Sequence, residues 1–174
     1  MNQEAVGVIK SGGIVVMPTD TIYGILASAL NEGAMTKLYR LRRHDTNKPF
    51  IILIGEVDDL KKFNITLTSA QKEQLEKLWP GPVSIIIGHQ AFRLPASLEL
   101  REFLKATGPI AAPSANLPNQ PPATTAAEAL TYFGNEVDLY VDGGKVVGNP
   151  STLVSLSEDG DLTVLRGILA NHGK

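Results

Sequence analysis

The chain has 174 residues, 43% of them hydrophobic, with 16 Lys and Arg against 18 Asp and Glu for a formal charge of -2. A chain of that size suits one domain burying roughly two-thirds of its unfolded surface, so no metal or disulfide staple is required. The sequence contains no cysteine, which excludes disulfides, zinc thiolate centres and thiol nucleophiles, and the near-neutral charge argues against nucleic-acid binding driven by bulk charge.

The first residues carry Glu4 and lack a basic segment followed by a long apolar run. No apolar stretch reaches the roughly 18 residues of a spanning helix, so a soluble, cytoplasmic protein without membrane contact is expected. Asn2 caps an expected helix through Lys10, with Ala5, Val6 and Ile9 as its apolar stripe and Gly12-Gly13 as its stop. A short apolar run over 14–17 predicts a central strand that opens into a polar loop from Pro18. Thr19, Asp20, Thr21 and Tyr23 then put three hydroxyls and a carboxylate beside Gly24, a grouping suited to a ligand and equally to a hydrogen-bonded turn.

Asn31-Glu32-Gly33 starts a second helix with Met35, Leu38, Tyr39 and Leu41 inward, running out into Arg42-Arg43-His44 and Lys48-Pro49 before a strand over 50–53. Cations at a helix carboxyl end complement its dipole; the same density of donors also suits a polyphosphate, where arginine forks form bidentate bonds. His44 has no partner His or Cys at ligand spacing, so no metal site is expected there.

A short helix over 57–63 and a second one capped at Thr68 or Ser69 follow, the latter ended by Pro80-Gly81-Pro82. The run 83–87 predicts a strand containing Ser84, and Arg93-Leu94-Pro95 a short edge strand before a helix over 98–105. The stretch 109–112 predicts a buried strand whose ladder Pro113 stops, leaving Ser114 and Asn116 just past its carboxyl end, where ligands settle in α/β sheets. Thr125 and Glu128 form a capping-box pattern before a helix over 126–133. Strands are expected over 137–141, 152–156 and 162–165, the last two joined by a turn at Glu158-Asp159-Gly160, and a frayed end is expected over 170–174.

Alternating strands and helices with a late hairpin predict a single-domain α/β fold with one twisted mixed sheet surrounded by helices. If the polar loops at 19–23, 114–116 and 151 share one edge of that sheet, they enclose one cavity. The chain has no GxxxxGK[ST], GxGxxG or GxSxG pattern, and none of His44, His89 and His172 is a persuasive base for Ser114. What remains is hydroxyls, an amide and cations, which work by positioning and by stabilising negative charge, as transfer at a phosphate requires.

Pro18-Thr19-Asp20-Thr21-Ile22-Tyr23-Gly24, Asn47-Lys48-Pro49, Ala112-Pro113-Ser114-Ala115-Asn116, Asp142-Gly143-Gly144, Pro150-Ser151-Thr152 and Leu165-Arg166-Gly167, in that order, resemble the YrdC family. The resemblance implies a single-domain twisted sheet around a deep, positively lined cavity. It also implies a threonylcarbamoyl-AMP synthase that joins L-threonine, bicarbonate and ATP with release of pyrophosphate. The product would pass to a tRNA threonylcarbamoyltransferase for modification of the adenosine next to the anticodon, with weak tRNA binding as a further expectation.

Carried over by position, Thr21, Arg93, Ala112 and Ser151 would hold threonine. Arg42, His44, Lys48, Ser84, Ser114, Asn116 and Arg166 would hold ATP, with Arg42, Ser114 and Asn116 nearest the chemistry. Mg2+ would arrive on the ATP phosphates, with no metal ligand from the protein. His44 stands where the family has an arginine, Leu53 where it has a histidine, and the segment between Ile87 and Arg93 is shorter than usual. Two other readings fit the same motifs: a non-catalytic nucleotide- or RNA-binding relative, and a carbamoyl-transfer relative with another acceptor.

Overall fold

The structure, a computed structural model, describes residues 2–43 and 49–169, so the frayed end expected over 170–174 lies outside the described residues. Asn2 accepts from the Ala5 amide at 3.0 Å and starts α1 (Gln3–Lys10). β1 (Val15–Pro18) pairs antiparallel with β2 (Tyr23–Ser28), a strand absent from the sequence expectation. Residues 19–22 form a tight turn, closed by the Thr19 amide on the Ile22 carbonyl at 3.0 Å. α2 (Glu32–Arg42) is capped by Asn31 and stopped by Arg43, whose φ of 47° is left-handed.

The expected strand over 50–53 shortens to β3 (Ile52–Leu53), and the helix over 57–63 is a 3-10 helix, Val57–Phe63. Thr68 and Gln71 form a reciprocal capping box at the start of α3 (Ser69–Leu78). β4 (Val83–Ile87), β5 (Gln90–Arg93), α4 (Leu98–Thr107) and β6 (Ile110–Ala111) follow. The chain continues through α5 (Ala126–Phe133), β7 (Leu139–Tyr140), β8 (Thr152–Leu156) and β9 (Leu162–Arg166). At α5, Thr125 caps as expected, but the Glu128 carboxylate reaches past it to the Thr124 amide at 2.7 Å, so the predicted box is not closed.

Among the described residues the strands form one mixed, twisted sheet of nine in the order β7-β1-β2-β6-β3-β5-β4-β8-β9. Pairs β1–β7, β3–β5 and β4–β8 are parallel and the others antiparallel. Two expectations are corrected here. β5 is an interior strand between β3 and β4 instead of an edge, and Arg93, the charge that suggested an edge, is buried in an ion pair with Asp20. Pro113 does not end the pairing of its strand. Its carbonyl accepts from the Ile25 amide at 3.0 Å, the Ala115 amide reaches Tyr23 O at 2.9 Å, and Ser114 bridges Gly24.

The two-residue period of the strands divides the sheet's faces. Ile52, Phe92, Ile85 and Val154 point to one side, where they pack against Leu60, Leu75, Leu78 and Trp79 of α3 and its neighbours. On that side further along, Ile14, Val16, Ile25 and Ala27 meet Leu38 of α2 and Phe133 of α5. Opposite them, Val15, Leu26 and Ile110 pack on α1 and α4 through Ile9, Phe103 and Leu104. Phe92 and Ile85 have no exposed surface, and truncating such a side chain to alanine costs about 2–5 kcal/mol. Among the described residues no helix is long and apolar enough to cross a membrane.

Candidate active site

On the face of β3, β5, β4 and β8 turned away from α3, the chain leaves a concave surface beside the α4 cluster that Leu53 joins with Phe103 and Leu104. Leu53, Ile86, Ala91, Arg93 and Leu153 form the floor of a cavity of about 640 Å³ there, inside the roughly 300–1,000 Å³ range of small-molecule sites. The sequence expectation placed this cavity along one edge of the sheet. The strand directions place it across a face, because Ser114 follows the carboxyl end of β6 whereas Ser151 precedes the amino end of the similarly directed β8. Residues from both ends of the strands therefore converge.

One wall comes from α2 and the loop after β6. The Arg42 guanidinium, at the last turn of α2, donates from Nη1 to Asn116 Oδ1 at 2.8 Å, and Ser114 Oγ donates to the same oxygen at 2.7 Å. Asn116 Nδ2 is anchored on the Gln120 carbonyl at 2.6 Å. One amide thus aligns a cation and a hydroxyl, and both Arg42 and Ser114 line the cavity. Burial lowers the pKa of Arg42, a guanidinium that stays charged in proteins, and its buried Nε has no partner among the described residues. A Cβ on Gly24, which lines the cavity, would lie 2.9 Å from Leu26 Cδ1 and 3.3 Å from Thr19 Cγ2, so a side chain there would crowd Thr19.

The other wall is built around Arg93, Thr21 and Ser151. Arg93 Nη1 donates to Thr21 Oγ1 at 3.2 Å and Nη2 to Asp20 Oδ1 at 2.7 Å. Burial lowers the pKa of Arg93 and Asp20 opposes that shift. Ser151 Oγ lies 2.8 Å from Ser84 Oγ, and the Ser151 carbonyl accepts from Arg166 Nη2 at 3.0 Å. Arg166 therefore completes a set of three guanidinium groups lining the cavity with Arg42 and Arg93.

Thr21, Arg42, Arg93, Ala112, Ser114, Ser151 and Arg166, which sequence reasoning selected, all line this cavity. Asn116 is half-buried behind Arg42 and Ser114, and Ser84 has no exposed surface, so it reaches the cavity only through Ser151. Ser84 thus stands one hydrogen bond away from the cavity for which the sequence selected it. His44 and Lys48, also selected, lie outside the described residues.

Thr19, grouped with Thr21 as a ligand candidate on sequence grounds, lines the cavity and is engaged with Thr21 at 3.1 Å, whereas His89, in the turn between β4 and β5, lines it without having been selected. His89 was judged only as a base for Ser114. The shortness of the segment between Ile87 and Arg93 was the available signal that its turn would fall at the rim.

A family model described as "Telomere recombination", covering the Sua5, YciO and YrdC proteins, matches residues 7–167. The threonylcarbamoyl-AMP synthase of Hahella chejuensis is 30% identical over 156 residues, covering 81% of this chain and 85% of that protein. That of Pyrococcus abyssi is 29% identical over 88% of this chain but only 50% of its own length, so this chain spans about half of that relative. Among solved structures, P. abyssi Sua5 complexed with L-threonine superposes with a TM-score of 0.83 at 27% identity, over 94% of this chain and 53% of that one. E. coli YciO, at 22% identity and a TM-score of 0.81, has the same fold. With the match running almost end to end and the fold shared, the chain belongs to the Sua5/YciO/YrdC family.

Proposed function

We propose that this protein is a threonylcarbamoyl-AMP synthase, a nucleotidyltransferase that makes L-threonylcarbamoyladenylate and pyrophosphate from L-threonine, bicarbonate and ATP. The observation that carries this reading is the convergence of two separately built walls on one cavity, with Arg42, Asn116 and Ser114 on one side and Arg93, Thr21 and Ser151 on the other. The relatives named above supply its chemical content.

Arg93 and Thr21 hold the threonine carboxylate and its neighbourhood, with Ala112 and Ser151 closing the subsite. Ser84 acts through Ser151. Arg42, Ser114 and Arg166 take the nucleotide, together with His44 and Lys48 on sequence grounds. The threonine amine adds to bicarbonate with loss of water. One oxygen of the resulting carbamate then attacks the α-phosphorus, and the bond to the β,γ-pyrophosphate breaks. The guanidiniums offset charge on the departing pyrophosphate, which is where preorganised cations lower a barrier most. The cavity's polar lining is cationic and hydroxylic and suits phosphate oxygens, so magnesium enters as part of MgATP. The adenylate serves a tRNA threonylcarbamoyltransferase acting next to the anticodon, and tRNA itself binds weakly at most.

The test is pyrophosphate release by the purified protein. Release that requires ATP, bicarbonate and threonine together, with no activity when other amino acids replace threonine, supports the reading. Tight tRNA binding with no pyrophosphate release overturns it in favour of a non-catalytic relative.

A further inference from the structure

Asp20, the acidic half of the ion pair with Arg93, has no role in the reaction described so far. Arg93 is 4% exposed and the Asp20 side chain 10%, so both charges sit in a medium where an unpaired ion is strongly disfavoured. Asp20 itself does not line the cavity, although its neighbours Thr19 and Thr21 do. Its second oxygen accepts from the Ala96 amide at 3.2 Å, so the carboxylate is fixed between the β1–β2 turn and the segment after β5. Arg93 is gripped at both terminal nitrogens, Nη2 by Asp20 and Nη1 by Thr21 Oγ1, which in turn meets Thr19 Oγ1. Thr19 Oγ1 donates to the Ile22 carbonyl at 2.7 Å and ends the chain.

We propose that Asp20 is a positioning residue that aims the Arg93 guanidinium at the carboxylate of the amino-acid substrate. The inference rests on the reading of Arg93 as the carboxylate receptor. A guanidinium has five N–H donors, and Asp20 and Thr21 occupy one on each terminal nitrogen of Arg93, which lines the cavity. Further N–H groups stay available for a carboxylate, in an orientation fixed before the substrate arrives. Fixing a long side chain in advance removes an ordering cost from binding, and a planar fork rewards that more than a point charge would. Without Asp20 the buried cation would turn toward water or another acceptor, and the fork would no longer face the cavity.

The test compares wild type with Asp20→Asn by calorimetry, using threonine and a non-hydrolysable ATP analogue separately. Threonine should bind at least tenfold more weakly in the variant, with the analogue's affinity unchanged within twofold. Adding Asp20→Asn to Arg93→Lys should weaken threonine no further, because the carboxylate acts only through the guanidinium. Retention of threonine affinity within twofold overturns the proposal. So does equal loss of both ligands, which marks a purely structural role, and so does an undiminished effect in the Arg93→Lys background. If Asp20→Asn does not fold, Asp20→Glu keeps the charge but displaces it by one methylene, and the same outcomes apply.

A ligand-free arm separates this inference from the functional reading. The Arg93 guanidinium NMR signals should be resolved and slowly rotating in wild type and averaged in the variant; averaging in both overturns the clamp. Absence of any threonine binding by wild type, with the clamp intact in NMR, overturns the carboxylate-aiming role together with the substrate assignment. Absence of the clamp with threonine still bound overturns Asp20 alone.

Discussion

Replacing Asn116 by alanine probes the nucleotide wall at the point that joins its parts. The substitution removes an acceptor shared by Arg42 at 2.8 Å and Ser114 at 2.7 Å, and a donor to Gln120 at 2.6 Å. A bond to a charged group contributes about 1.5–3 kcal/mol to stability and a neutral one about 0.5–1.5 kcal/mol. Asn116 is only half-buried, so water replaces part of both, and a net loss of about 1–2 kcal/mol is expected. At about 2–4 °C per kcal/mol for a chain of this size, Tm should fall by about 2–8 °C.

The loss of activity should be larger, because the guanidinium keeps its charge but not its direction, and the Ser114 hydroxyl is freed to rotate. Losing one preorganised group where charge develops costs about 100-fold in rate. Pyrophosphate release should therefore show kcat/KM about 100-fold below wild type with the KM for threonine little changed, since that subsite is built by other residues. A kcat/KM within threefold of wild type, in a variant that melts a few degrees early, would refute the idea that Asn116 organises the wall.

Arg42→Ala should lower turnover at least tenfold with the far-ultraviolet circular dichroism unchanged, since Arg42 lies at the last turn of α2 and outside the apolar core. In Gly148→Ala the new Cβ would collide with the Thr21 carbonyl, a backbone atom that cannot turn away. Threonine affinity should drop at least tenfold and ATP affinity less, as calorimetry would read. Ser84→Ala should weaken threonine about fivefold by releasing Ser151, a loss that Ser84→Thr restores only if the buried hydroxyl keeps its 2.8 Å partner.

The Thr124 amide and hydroxyl hold the Glu128 carboxyl below its ordinary 4.5. A carboxylate depressed in the folded state stabilises above its unfolded pKa, and that contribution is lost as pH falls through the folded value. Glu128→Gln should therefore flatten the decline of Tm with acid below pH about 4.5 and leave Tm near neutrality offset but parallel.

Legibility in the sequence followed the strength of local signals. Caps at Asn2, Asn31, Thr125 and one of Thr68 and Ser69 were readable because each pairs a short polar side chain with a following apolar stripe, and the structure places the open one at Thr68. β2 was hidden because the hydroxyls of residues 19–23 signal a loop. The run that follows is mostly small residues with Ile25 as its β-branched member, and its partners Met17 and Ala111 lie on either side in space. β5 read as an edge from its arginine and Pro95, since a charge on an interior strand is legible only when its distant partner, Asp20, is known.

The site residues were visible as polar groups at strand ends. Their placement over a face was not, because it depends on which strands run together, a property of long-range pairing. For Ser84, the pattern could mark a polar side chain in an apolar strand but not whether it opens to the cavity or to Ser151.

The most direct test of the account is mass spectrometry of the nucleotide formed from ATP, threonine and 13C-bicarbonate. The account predicts a threonylcarbamoyl adenylate carrying the heavy carbon, absent when any one substrate is withheld. AMP or ADP alone, or an adenylate without the label, would contradict it.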